Sequence, residues 1–162
     1  SDGFLSFNNK LKKDMPPIKK AMYLYLRATK TSQLKNKNIA SEKADLEQTL
    51  SILDEFDDLD PNVLSLKQFT VRTMSQIYKN TTKEILRVSG LLEDILLKMI
   101  DMSYPKEEQY QHYIDYGIAS YNLSKWCESY ESFDAAIKIE KMQKMIENPN
   151  LVKYRDLAKT NL

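Results

Sequence analysis

The residues of this chain that could do chemistry are few and scattered. His112, the only histidine, lies in "EEQYQHYIDY" four residues after Glu108, a spacing that could set an acid beside a base on one helix face. A solvent-facing or tyrosine-packed imidazole is the favoured reading, and no catalytic role is assigned to it. Cys127, the only cysteine, follows Trp126 with no suitably spaced base, and reads as a small buried hydrophobe. The carboxylates of "DEFDDLD" are dense enough for calcium, yet they lack the spaced acceptors and the glycine of an EF-hand loop, so a solvated acidic turn is expected. Tyr23, Tyr25, Tyr110, Tyr113, Tyr116, Tyr121, Trp126 and Tyr130 have no basic stripe interleaved among them, which favours packing between helices over stacking on bases. The expectation is a protein that is not an enzyme, holds no cofactor or metal, and does not bind nucleic acid.

The basic residues fall in two sets. Lys10, Lys12, Lys13, Lys19 and Lys20 surround Pro16-Pro17, where a solvated helix surface is expected. Lys138, Lys141, Lys144, Lys153 and Arg155 gather around Asn148-Pro149.

The whole-chain charge is +1, from 24 basic and 23 acidic residues, so only local clusters could hold an anionic surface. One cysteine permits no internal disulfide and no zinc site built from several thiolates, which fits a cytoplasmic setting. No apolar run approaches the roughly 18 residues of a membrane span, and "SDGFLSFNNK" lacks the basic start and apolar core of a signal peptide. The abrupt start without methionine reads as a piece of a longer chain.

Three glycines and five prolines across 162 residues are too few for an all-β protein, and an all-α single domain is expected. The prolines mark the expected boundaries. From Pro17 to about Phe56 no breaker occurs, which predicts one helix of about 40 residues, followed by a turn at "DDLDPN". A second long helix is predicted over about 62–147, kinked or interrupted at Pro105, and a further helix begins at about 150. Met74, Tyr78, Thr81, Ile85, Val88, Leu92, Ile95, Met99 and Met102 follow an unbroken alternation of four and three, a heptad seam about 43 Å long at 1.5 Å per residue.

Two family resemblances compete for "YIDYGIASYNLSKWCESYESFDAAIKI". Tyr113, Gly117, Tyr121, Trp126, Phe133 and Ala136 resemble the large and small positions of a tetratricopeptide hairpin. Ser129 stands there in place of alanine and Lys141 in place of the closing proline, and no second copy is found about 34 residues earlier. The wider pattern, "LKNKNIASEKADLEQTLSILDEF", "YIDYGIASYNLSKW" and "KIEKMQKMIENPNLVKY", resembles the BAR region of sorting nexins, without most of its third helix.

That resemblance implies an elongated all-α coiled-coil hairpin forming a homo- or heterodimer through the seam Met74, Tyr78, Ile85, Val88, Leu92, Ile95 and Met99. It also implies membrane curvature sensing or remodelling in endosomal sorting, as a peripheral protein of the endosomal membrane. Lys138, Lys141, Lys144, Lys153 and Arg155 would then touch an anionic membrane surface. The alternative is a tetratricopeptide-like helical scaffold that binds a peptide or protein partner.

Overall fold

The computed structural model describes residues 2–12, 14–36, 38–102 and 109–162, with side chains from Phe7 onward. All regular structure among these residues is helical. The chain divides into two compact units, Ser1–Tyr78 and Lys79–Leu162, where a single helical domain is expected from the sequence. The first holds α1 (Asp2–Leu11), α2 (Pro17–Ser32), α3 (Ile39–Leu53) and α4 (Pro61–Ile77). The second holds α5 (Thr82–Asp101), α6 (Tyr110–Asn122), α7 (Trp126–Met142) and α8 (Pro149–Lys159).

Within each unit every helix packs on its sequence neighbour. In the first, Arg27 meets Asp45 and Thr49 meets Ala21, so α3 runs antiparallel to α2. The Tyr78 hydroxyl donates to Glu47 Oε2 at 3.0 Å and Lys67 pairs with Asp54 at 3.0 Å, which returns α4 along α3. Ala21, Leu53 and Val63 form a dry centre, sealed by Ile18, Ile52, Phe56 and Leu66. In the second, Phe133, Ala136, Ile137 and Leu151 join α7 to α8, with Tyr110, Tyr113 and Ile114 of α6 packed against them.

The long helices expected from the sequence are broken, and each break has a local cause. Helix α2 ends at Ser32 because Thr29, Thr31 and Ser32 turn their hydroxyls back onto the carbonyls of Leu26, Arg27 and Thr29, competing with the helical ladder. Asn38 then caps α3 by accepting from Ser41 N at 3.1 Å, worth about 1 kcal/mol. Thr81, a member of the heptad alternation, is the N-cap of α5. Its hydroxyl accepts from Glu84 N at 3.1 Å while Glu84 Oε2 accepts from Asn80 N at 3.2 Å.

Helices α6 and α7 are separated by Ser124 in the left-handed region at φ 59°. Lys125 N donates to Ser120 O at 2.8 Å and Ser124 N to Tyr121 O at 3.0 Å, which closes a Schellman turn. Lys144, at φ 53°, ends α7 in the same way, with Met145 N donating to Glu140 O at 2.9 Å.

Pro105 lies outside the described residues. The segments on its two sides nevertheless do not form a continuing rod: Asn122 reaches Ser89 Oγ at 3.4 Å and Ser120 reaches Glu93 Oε2 at 3.4 Å, so α6 lies antiparallel against α5. The longest described helix, α5, has 20 residues, or about 30 Å, well short of the reach expected of an elongated BAR-like hairpin.

Candidate binding groove and the turn beside it

Gly117 and Phe133 set how closely α6 and α7 approach. A Cβ placed on Gly117 would stand 2.9 Å from Cε1 and Cζ of the Phe133 ring, so glycine is what lets the ring approach the α6 backbone this closely. Ser129, one turn before Phe133, is fully buried and donates to Gly117 O at 2.8 Å. The small hydroxyl side chain at this position thus ties the hairpin together. Tyr154 of α8 packs against Phe133 with ring centroids 5.7 Å apart, and Trp126 packs edge-on against Tyr121 at 5.0 Å.

Two buried carboxylates hold the flanking helices. Glu140 is 2% exposed and accepts from the Tyr110 hydroxyl at 2.8 Å and from Asn148 N at 2.9 Å, joining α6, α7 and the entry to α8. Burial, and then the bond to Glu140, pushes the Tyr110 phenol up to about 12. Glu93 of α5 meets Lys125 and Ser120, and the bond to Glu93 raises the Lys125 ammonium above its ordinary value.

Between α6 and α7 this packing leaves a groove of about 420 Å3. Tyr113, Ala135, Ile139 and Met142 supply its apolar wall, and Glu131, Asp134 and Lys138 its polar rim. Asp134 is engaged by Lys138 at 3.0 Å and Arg155 at 3.1 Å, and the Lys138 bond leads in holding its carboxyl below the usual range. Glu131 and Glu128 form no ion pair among the described residues. The groove is therefore acidic at one end, apolar along its wall, and self-neutralised in the middle.

The residues singled out from the sequence are distributed as follows. Cys127 is exposed instead of buried, since it is Ser129 and Phe133 that turn the buried face of α7 towards the core. Its thiol lies 3.7 Å from Glu131 Oε1, and the charges of Glu131 and Glu128 raise it away from the reactive thiolate. His112 is half-buried on α6, and Glu108 lies outside the described residues. In the acidic turn, Lys67, with its side chain 8% exposed, sits between Asp54 at 3.0 Å and Asp58 at 2.6 Å; an ammonium from α4 occupies the place a cation would take. No group of three or more His, Cys, Asp or Glu able to hold a metal occurs among the described residues.

The heptad residues separate between the units. Met74 and Tyr78 are buried in the first, and Val88, Leu92, Ile95 and Met99 in the second, with Ile85 half-buried. Around the α7–α8 turn, Lys138 and Arg155 are engaged by Asp134, and Arg155 also meets Asp156 at 3.4 Å. Lys141, Lys144 and Lys153 are exposed and pair with no acid among the described residues. Residues 141–150 are exposed throughout; Met142 is 61% and Ile146 95% exposed. Reasoning from sequence missed Glu93 and Glu140, whose burial has no periodic signature, and the caps that separate the helices.

These features define a class: an all-α protein of antiparallel helical hairpins, with a groove between helices α6 and α7. No described helix is long and apolar enough to cross a membrane. A scan of protein-family models and searches of curated proteins and of solved structures find no match.

Proposed function

We propose that this protein is a non-enzymatic helical scaffold whose α6–α7 groove docks a peptide segment of a partner protein. The observation that carries the reading is the groove itself: an apolar wall of Tyr113, Ala135, Ile139 and Met142 stands open beside Glu131, which has no ion-pair partner among the described residues, on a hairpin fixed by Gly117 against Phe133. Its polarity selects the ligand. A large apolar side chain fills the Ile139–Met142 end, and a Lys or Arg nearby meets Glu131 and Glu128. The volume suits one or two large side chains, so affinity would rest on a short anchor motif.

A peptide library panned on the full chain, with counter-selection on Ala135→Arg, tests this. Enrichment of a shared basic–apolar motif that binds the parent and not the variant supports the groove. A motif that binds both equally, or no motif, sinks it.

Membrane contact within a BAR-type dimer is a second reading, with one specific support: Lys141, Lys144 and Lys153 pair with no acid among the described residues and lie beside the exposed Met142 and Ile146. Cations at a lipid surface contribute about 1 kcal/mol each, and an exposed isoleucine adds insertion energy. The helix lengths count against the elongated dimer and leave its endosomal sorting role without a lever arm. Sedimentation with anionic liposomes at low salt, lost on changing the three lysines to glutamine, would favour this reading over the groove.

A further inference from the structure

We propose that the basin between α1, α2 and α3 binds a phosphate monoester carried on a small apolar body. The basin holds about 370 Å3, with Leu11 and Leu24 supplying apolar surface. Lys12, Lys20 and Arg27 bring three cations to it, and Asn8 and Gln48 bring two amides; none of its lining residues is acidic.

Arg27 is fixed before any ligand arrives. Its Nε and Nη2 donate to Asp45 Oδ2 and Oδ1 at 2.8 and 2.7 Å, and Nη1 donates to Asn8 Oδ1 at 3.0 Å. Those three bonds leave two of its five N–H groups for a ligand, on a planar fork that cannot swing away. Asp45, 4% exposed, neutralises the guanidinium from behind, so the net charge offered comes from Lys12 and Lys20. Neither lysine pairs with an acid among the described residues.

A rigid donor fork with two loose ammonium groups matches a group bearing close to two negative charges and three acceptor oxygens, which is a phosphate monoester. A carboxylate would leave one cation uncompensated. The leucines favour a ring or short chain on the ester oxygen, and the volume excludes a bulky one. The same group could be presented as a free ester or as the headgroup of a lipid.

The test is calorimetric titration of the full chain with phenyl phosphate at low salt, using inorganic phosphate as competitor. Saturable one-to-one binding is expected. It should weaken about tenfold or more in the Lys12→Gln, Lys20→Gln pair and stay unchanged in the Lys144→Gln, Lys153→Gln pair, with both variants matching the parent in helix content by circular dichroism. Non-saturating binding, or equal loss in both pairs, overturns the proposal. Vesicles of phosphatidylcholine with and without phosphatidic acid then identify the source. Sedimentation that depends on Lys12 and Lys20 indicates the bilayer-borne phosphate, and phenyl phosphate binding without sedimentation indicates the free ester; either outcome upholds the phosphate chemistry.

Discussion

Replacing each of two helical glycines by alanine should give opposite results. Gly90 lies in the middle of α5, and a Cβ built there meets nothing within 4 Å. Gly90→Ala should therefore stabilise the second unit by up to about 1 kcal/mol, the difference in helix propensity. Gly117 lies within α6, where the same gain is available, but its new Cβ would stand 2.9 Å from the Phe133 ring. That ring is 1% exposed, with Tyr154 packed on it and Leu151 in the same core cluster, so it has no room to retreat. Overpacking of this kind costs about 1–3 kcal/mol, which cancels or outweighs the propensity gain. The two variants should therefore differ by about 1–3 kcal/mol, with Gly117→Ala the less stable.

Trp126, the only tryptophan, starts α7 and reports the second unit directly, so urea unfolding followed by its fluorescence gives both values. Adding Phe133→Leu to Gly117→Ala should recover part of the loss, because the smaller side chain removes the clash; a double-mutant cycle measures the coupling. Equal stabilisation by the two alanines would refute the reasoning, since a glycine on an uncrowded helix face behaves like Gly90.

Other outcomes follow from single contacts. Ser124→Gly should stabilise by about 1 kcal/mol in the same urea assay, because Ser124 adopts φ 59° and glycine does so without a Cβ penalty. Leu92→Asp should cost several kcal/mol, since Leu92 is 5% exposed in the single chain; the loss should appear at every protein concentration, whereas a residue buried only between chains would make it concentration-dependent. The folded state holds the Tyr110 proton more tightly than the unfolded chain, with the phenol pushed from 10.0 to about 12. Its contribution is thus full below pH 10 and lost as pH rises towards 12, and Tyr110→Phe should flatten that part of the stability–pH curve. Lys67→Met should destabilise the first unit and make it more sensitive to added salt, since Asp54 and Asp58 would face each other without their ammonium.

The helical class was legible because glycine and proline are scarce, and three helix starts were legible because Pro17, Pro61 and Pro149 each stand at a first helical position. The ends were not. Helices α6 and α7 stop on Ser124 and Lys144, residues that rarely adopt left-handed backbone, so the positions that usually carry glycine carry no signal.

Thr81 and Glu84 did carry a capping signature, but the apolar alternation from Met74 to Met102 runs across them and concealed it. The alternation is genuine on either side of the break: it records the buried face of the end of α4 and then of α5, and the phase happens to match. Within the α6–α7 hairpin, the spacing of Tyr113, Gly117, Phe133 and Ala136 was legible as a set of large and small contacts. The carboxylates of Glu93 and Glu140 were not, because each is buried by virtue of its partner on another helix.

The central structural claim is that α5, α6 and α7 fold back on one another, since a groove between α6 and α7 requires it. The most direct measurement is pulsed electron resonance between spin labels at Asp94 and Glu128, both exposed, in a Cys127→Ser background. In a continuous helix these positions lie about 50 Å apart at 1.5 Å per residue. The Glu93–Lys125 contact instead brings their neighbourhoods together, and with helices packed about 8–10 Å apart the labels should be separated by less than about 25 Å. A distribution centred beyond about 40 Å, the range of an unbroken rod, would contradict the hairpin and the groove with it.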